Sequence, residues 1–168
     1  VAIVLDDLTE RKKLEAQRGL LQRMVSPAVL DQLDPNTLQV GGKQVFITVL
    51  FADVRGFTSY SEKHSPEELV AVLNQYLAAA AEAVLAHEGT VDKFLGDAVM
   101  AFFNAPEDQE DHPYRAVDAA LALQSAVAQL NARRGSDVLT FGIGVHLGEA
   151  VVGNVGTPRA MNYTAIGD

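Results

Sequence analysis

The chain has 168 residues, of which 48% are apolar and 21% charged, as is ordinary for one soluble globular domain. Its formal net charge of −9 argues against a nucleic-acid partner, because such binding depends on clustered Lys and Arg. Without cysteine there is no disulfide, thiolate zinc site or cysteine nucleophile. We expect no membrane segment in this chain, since no apolar run reaches the roughly 18 residues needed, and a cytoplasmic location.

The first part of the sequence indicates a strand followed by a helix. Residues 1–5 are apolar and mostly β-branched, and Asp7 with Glu10 predicts a helix N-terminus near Leu8. Up to residue 24, four positions are separated by three, four and three residues, which is typical of the contact seam of a short coiled coil. These positions are Leu14, Gln17, Leu21 and Met24. An amphipathic helix that lies on a neighbouring domain fits the same pattern.

A linker is predicted between this helix and the main domain. Ser26 and Pro27 predict the start of a short helix that ends near Leu33. Turn-forming residues at 34–36 and 41–42 then indicate a loop, which we take as the boundary of the main domain.

The main domain opens with a strand and a long helix. Residues 45–53 are apolar on both faces, which predicts a central strand. Ser65 and Glu68 form a capping box around Pro66, and the helix that they predict is closed by Gly89. One apolar face is predicted for this helix, made of Leu69, Val72, Leu73, Tyr76, Leu77 and Ala80.

The remaining elements complete the predicted fold. Residues 90–94 and 98–103 predict a tight hairpin with Asp97 at its turn. A second helix is predicted from His112 to Arg134, with Gly135 as its stop. Its buried stripe consists of Ala116, Ala120, Leu123, Val127 and Leu130. A strand pair at 138–146 and 149–154 and a further strand from 163 to 166 follow. The order βαββαβ, with its last strand extended into a hairpin, predicts an α+β ferredoxin-like sandwich with helices on one sheet face.

Two aspartates, Asp53 and Asp97, stand in apolar surroundings, at a strand end and beside a turn. A buried carboxylate requires a hydrogen-bonding or cationic partner. Mg²⁺ fits, because it usually takes one or two carboxylates and completes its shell with water and phosphates. Backbone N–H groups in the turn after Asp53 could meet those phosphates. The pattern favours a bound nucleoside triphosphate, although Asp also occurs at turns and hairpin corners for structural reasons.

Four blocks in order resemble the catalytic domain of the class III adenylate and guanylate cyclases, over about residues 45–168. The blocks are Phe51–Thr58, Lys93–Asp97, Gly142–Gly148 and Tyr163–Asp168. Residues Leu5–Lys12 resemble the last strand and exit of a PAS sensor domain that leads into a signalling helix. The resemblance implies the end of a PAS-like domain at 1–8, a signalling helix and linker at 9–42, and a cyclase catalytic domain at 43–168.

The resemblance also implies the site. Two Mg²⁺ or Mn²⁺ ions per site would be bound by the catalytic residues Asp53 and Asp97, assisted by the Val54 carbonyl. The terminal phosphates would be held by the backbone of Gly56, Phe57 and Thr58. The ribose 3′-hydroxyl would attack the α-phosphorus in line and expel pyrophosphate, and two metals suit the charge that develops on the oxygens.

The expected substrate is ATP, because of Lys93 and Thr164. Lysine has donors only, so it suits the acceptor N1 of adenine better than the donor N1 of guanine. The Thr164 hydroxyl could accept from the adenine N6 amine. Guanylate cyclases typically carry an acid at the position that resembles Lys93. A lone strand lysine is otherwise a common solvated edge charge.

The family site implies a homodimer with head-to-tail composite sites, in which Asp53 and Asp97 of one chain face Lys93 and Thr164 of the other. Rotation or shift of the paired signalling helices would then regulate activity from an upstream sensor in the same parent chain. The family carries an Asn and an Arg on a helix beyond Asp168, so we expect this catalytic domain to be C-terminally incomplete and weakly active or inactive alone.

Two other functions fit the same sequence features. A palm-like nucleotidyl transferase would use the same two carboxylates, but its diguanylate-forming relatives display a Gly-Gly-Asp/Glu-Glu-Phe turn where this hairpin has Leu95–Ala98. A catalytically silent cyclase-like domain would only dimerise and relay a signal, although the intact aspartates and Lys93 weigh against it. Solvated or core roles are expected for His64, His87, His112 and His146. Arg55 either meets phosphate or is a surface charge.

Overall fold

The computed structural model describes residues 11–17, 19, 26–32, 39–135 and 138–167. The chain divides into two compact units, 1–38 and 39–168. In the first unit, residues 11–17 are helical (α1), and α2 spans Pro27–Gln32. Helix α2 confirms the short helix predicted after Ser26.

Several predictions for the first unit fall outside the described residues. They are the strand at 1–5, the cap at Asp7, the seam positions Leu21 and Met24, and the loop at 34–36. Of the seam, Leu14 lies on α1 and is 72% exposed. The coiled-coil interpretation of this helix therefore stays a prediction.

The second unit contains one antiparallel five-stranded sheet in the order β2-β3-β1-β4-β5. Its strands are β1 (Gly41–Arg55), β2 (Thr90–Leu95), β3 (Ala98–Phe103), β4 (Thr140–Thr157) and β5 (Ala160–Ile166). Its helices are α3 (Phe57–Ser61), α4 (Pro66–Ala86) and α5 (His112–Arg134). The order β1-α4-β2-β3-α5-β4 confirms the predicted α+β class and ferredoxin-like arrangement, to which β5 adds an edge strand. The short helix α3 was not predicted.

Helices α4 and α5 cover one face of the sheet, and their predicted apolar faces are confirmed. The predicted positions on both helices all lie in the main core or, if partly buried, pack against it, together with Leu50, Ala52 and Val54 of β1. The capping box is also present, because Ser65 Oγ accepts from Glu68 N at 3.3 Å and Ser65 N donates to Glu68 Oε2 at 3.2 Å. Helix α4 is long and apolar enough to cross a membrane by length and composition alone, whereas the lack of a long apolar run had predicted no such segment. Its buried face packs in the core of this unit, so it is a core helix.

The end of α4 differs from the expectation that Gly89 supplies the helix-ending conformation. Glu88 takes the left-handed conformation instead, with φ 58°. A Cβ at Gly89 would lie 2.6 Å from the Phe103 ring, so close packing against β3 is what requires glycine there.

Two hydrogen-bond networks link the helices, one to each other and to the residue before β4, and one to the sheet. The hydroxyl of Tyr76, on α4, donates to Asn131 Oδ1 at 2.6 Å and accepts from Leu139 N at 3.3 Å. On the other helix, His112 Nδ1 lies 2.7 Å from Thr48 Oγ1 of β1. Burial lowers the pKa of His112, which the nearby Asp111 carboxylate partly opposes. His112 is therefore a core residue, which is one of the two roles expected for the histidines.

The predicted hairpin between 138–146 and 149–154 is wrong, because β4 is one continuous strand of 18 residues. It pairs with β1 without a break, from Gly41 opposite Asn154 to Arg55 opposite Thr140. The loop predicted at 41–42 is also wrong, since both glycines belong to β1. A Cβ on Gly153 would overlap the Gly41 carbonyl oxygen, so small residues here serve close strand approach.

The sheet coils so strongly that its two edge strands approach each other. Tyr163 of β5 packs against Phe102 of β3, with ring centroids 6.1 Å apart, although two strands separate them in the hydrogen-bonded order. Burial raises the pKa of the Tyr163 phenol, so it stays protonated near neutral pH. A second small core forms around Ile47, Phe102 and Val152 on the face opposite the helices. Through this coiling, β5 reaches β2.

Candidate active site

Asp53 and Asp97 come together at one corner of the sheet. Asp53 stands two residues before the end of β1 and lies directly opposite Ala98 of β3. Asp97 occupies the turn between β2 and β3, where its carbonyl accepts from Val54 N at 3.2 Å. Gly96 precedes it with φ 67°, a conformation that suits glycine. Strand pairing thus places the two aspartates that the sequence singled out beside each other.

A glycine turn follows this corner directly. Gly56 has φ 80° and caps α3, whose first hydrogen bond runs from Tyr60 N to Gly56 O at 3.0 Å. A Cβ at Gly56 would meet open space, so the backbone conformation, not crowding, calls for glycine. The N–H groups in the first turn of any helix have no acceptor within the helix. The backbone of 56–58 is therefore available to an anion next to Asp53.

The expectation that both aspartates are buried in apolar surroundings is wrong. The side chain of Asp53 is 50% exposed, and its Oδ2 lies 3.8 Å from Nη1 of the similarly exposed Arg55. Asp97 is also only partly buried. The aspartates project from the rim of the sheet, so access and hard-oxygen chemistry, not desolvation, make the corner suitable for a cation. Arg55 is a surface charge that pairs with Asp53.

The residues present fit a hard divalent cation. Two carboxylates and a neighbouring main-chain carbonyl are oxygen donors of the kind that Mg²⁺ and Mn²⁺ accept. Among the described residues, no group of three or more His, Cys, Asp or Glu side chains is placed so that it could hold a metal ion. Such an ion would therefore complete its shell with water and phosphate oxygens, as Mg²⁺ usually does.

Lys93 and Thr164 form a second polar group, built from the two edge strands. Lys93 Nζ donates to Thr164 Oγ1 at 2.9 Å, so the structure brings together the two residues that the sequence had linked. Sequence reasoning missed Asp92, whose Oδ2 accepts from the Thr164 hydroxyl at 2.5 Å. Its Oδ1 lies 3.1 Å from Lys93 Nζ. An acid in a strand next to the candidate lysine was the signal that could have found it.

A shallow depression of about 270 Å³ lies on the sheet face opposite the helices. Its lining includes Ile47, Val49 and Phe51, which alternate along β1 on the same face as Asp53. Phe51 is 46% exposed there. The depression is thus an apolar extension of the surface from which Asp53 projects.

Comparison with known proteins agrees with this fold. Residues 42–168 match the family described as Adenylate and Guanylate cyclase catalytic domain. Adenylate cyclase 1 of Rhizobium meliloti (strain 1021) is 42% identical over 125 residues, which are 73% of this chain and 19% of that protein. The Adenylate cyclase of Anabaena cylindrica is 37% identical over 167 residues, which are 93% of this chain and 32% of that protein.

A solved structure extends the comparison to three dimensions. The crystal structure of the guanylyl cyclase Cya2 superposes with a TM-score of 0.72 at 41% identity, covering 76% of this chain and 66% of that one. The α+β domain described above is therefore of the nucleotide cyclase class. The chain belongs to the adenylate and guanylate cyclase catalytic-domain family, and it spans less than a third of each of the two curated relatives.

Proposed function

We propose that this chain is the catalytic domain of an adenylate cyclase that converts ATP into 3′,5′-cyclic AMP and pyrophosphate. The observation that carries the proposal is the sheet corner that joins Asp53 and Asp97 beside the Gly56 turn. In the reaction, the ribose 3′-oxygen bonds to the α-phosphorus as the bond from that phosphorus to pyrophosphate breaks. The 3′-hydroxyl proton is released in the same conversion.

Asp53, Asp97 and the Val54 carbonyl would hold two Mg²⁺ or Mn²⁺ ions. When bound, such ions supply positive charge close to the phosphate oxygens. The backbone of 56–58 would bind the terminal phosphates, which fits its position directly after β1. These residues together orient the triphosphate so that its α-phosphorus faces the attacking oxygen.

ATP is the proposed substrate, because Lys93 offers donors only and Thr164 offers an acceptor to the base. Their 2.9 Å contact supports the assignment of both to one base-reading group. The test is the double variant Lys93→Glu, Thr164→Cys, for which we expect the preference for ATP over GTP to fall. Full retention of the ATP preference in that variant would contradict this assignment.

A head-to-tail homodimer with composite sites is the proposed active form. Phe51 is 46% exposed on the same face as Asp53, and Phe94 and Leu95 near the hairpin are about half exposed, so a second copy would cover apolar surface. An Asp97→Ala chain mixed with a Lys93→Glu chain is then expected to regain about a quarter of wild-type activity, because half of the dimers contain one intact site. No recovery on mixing two folded, dimeric variants would argue against shared sites.

Regulation by an upstream sensor is the last part of the proposal. Residues 1–8 would end a PAS-like domain in the cytoplasm, and the segment from residue 9 to the start of β1 would carry its signal through paired helices. The exposed Leu14 of α1 offers an apolar contact for such pairing. Removal of residues 1–33 is expected to uncouple activity from the sensor. Equal activity with and without these residues, in every sensor state, would remove this part.

The decisive experiment measures cyclic nucleotide formation by the full-length protein with Mn²⁺ and either ATP or GTP. Asp53→Ala and Asp97→Ala are expected to lower activity roughly 10²-fold or more, because each removes a group that binds the reacting phosphates through the cations. Asp118→Ala is the matched control, since Asp118 is an exposed acid on α5. A wild-type protein that forms a dinucleotide, or no product, would favour a palm-like transferase or a silent relay domain.

A further inference from the structure

Asp92 is a buried acid that contacts both members of the base-reading group. Its side chain is fully buried, with 0% exposure, whereas the side chain of Lys93 keeps 35%. Oδ2 accepts from Thr164 Oγ1, and Oδ1 lies 3.1 Å from Lys93 Nζ. Within the described part of the chain, Oδ1 accepts no hydrogen bond, so the lysine charge compensates this carboxylate.

These contacts fix the direction of the Thr164 hydroxyl. A threonine hydroxyl has one proton to donate and two lone pairs, and an ionised carboxylate only accepts. The Thr164 proton therefore points to Asp92, and one lone pair receives Lys93 Nζ. What remains to face a ligand is a single lone pair, so Thr164 acts as an acceptor only.

An acceptor-only hydroxyl distinguishes the two purines at position 6. Adenine carries an amino group there, which donates, while guanine carries a carbonyl oxygen, which accepts. With guanine, the O6 oxygen and the Thr164 lone pair would both be acceptors. The N1 proton and the Lys93 ammonium would both be donors, so neither pair could form a hydrogen bond. Because Thr164 itself is buried, at 6% exposure, water has little access to relieve the mismatch at its hydroxyl oxygen.

We propose that Asp92 is a specificity-determining positioning residue, which makes Thr164 an obligate acceptor and thereby selects 6-aminopurine nucleotides over 6-oxopurine nucleotides. This inference rests on the proposed function, since it concerns the base-reading group of the same site. Asp92 acts on base selection through Thr164, without touching the base. Neutralising its carboxylate would free the Thr164 proton to meet the oxygen of guanine.

The test compares Asp92→Asn with wild type in the full-length protein, by kcat/KM for ATP and GTP and by dissociation constants for their α,β-methylene analogues. The new amide can donate to Thr164, so we expect the ATP-to-GTP ratio to fall roughly 5- to 150-fold, the effect of one mismatched buried group. Thr164→Val should lower the ratio similarly, and adding Asp92→Asn to it should change nothing further. Asp118→Asn, on an exposed acid of α5, should leave the ratio unchanged.

Each other outcome is decisive. Equal losses with ATP and GTP, or additive effects of the Asp92 and Thr164 substitutions, would overturn the proposal and leave Asp92 a purely structural role. If Asp92→Asn does not fold, Asp92→Ala repeats the test, because it also lets the Thr164 hydroxyl rotate. If neither variant folds, the proposal is overturned. A wild-type protein that forms no cyclic nucleotide but binds the two analogues with the expected, Asp92-dependent preference would refute the proposed reaction alone.

Discussion

The partly buried ion pair of Asp92 and Lys93 makes stability depend on the same residues as the proposed base recognition. In Lys93→Met the length of the side chain is nearly kept, but the carboxylate loses its compensating charge at 3.1 Å. Breaking a fully buried pair costs about 3–5 kcal/mol, and an exposed pair is worth less than about 1 kcal/mol. With one partner at 0% exposure and the other at 35%, we expect a loss of about 2 kcal/mol.

The assay is urea unfolding followed by far-UV circular dichroism, together with a thermal scan. A loss of about 2 kcal/mol lowers the melting temperature by roughly 4–8 °C in a protein of this size. Adding Asp92→Asn should restore most of the stability, because a neutral amide needs no counter-charge. The reasoning fails if Lys93→Met is as stable as wild type, or if the double variant is less stable than Lys93→Met alone.

Three further predictions concern the scaffold. Because burial lowers the pKa of His112, the unfolded chain binds a proton that the folded chain does not, so the free energy of unfolding should fall as the pH drops below about 6.5. Urea titrations at pH 7.5 and 5.5 measure this, and His112→Asn should flatten the difference. Tyr76→Phe should cost about 1–3 kcal/mol in the same assay by orphaning buried groups, and unchanged stability would contradict the hydrogen bonds assigned to its hydroxyl. Gly153→Ala should destabilise the protein, because the added methyl group would overlap a neighbouring strand. Gly144→Ala on the same strand is the control, since the space around Gly144 is open. Equal shifts of the melting temperature in a thermal scan would refute the packing argument.

Sequence patterns were sufficient where the signal is local. The capping box at Ser65 and the 3.6-residue periodicity of both long helices depend on neighbours within one or two turns, and both are confirmed. The pairing of Asp53 with Ala98, which positions the two aspartates, is the neighbourhood of first and third strands that a ferredoxin-like sandwich contains. The capping box and the helix faces could be predicted because each depends on one element alone.

The failures arose where distant strands decide the conformation. The hairpin predicted between 138–146 and 149–154 and the loop predicted at 41–42 are both absent, because these residues lie in the long β1–β4 ladder. Gly153 shows why small residues are needed there. The exposure of Asp53 could not be predicted from its apolar neighbours in sequence. Asp92 was missed because its partner Thr164 is 72 residues away and becomes adjacent only when the sheet coils.

The long β1–β4 ladder has a mechanical consequence. Gly42, close to the junction with the first unit, pairs with Gly153, which in turn pairs with Thr164. Asp53 stands at the opposite end of the same strand, roughly 36 Å away at the usual rise of a β-strand. A pull or twist entering at Gly41 would thus strain the strands beside the threonine well before it could disturb the acidic corner.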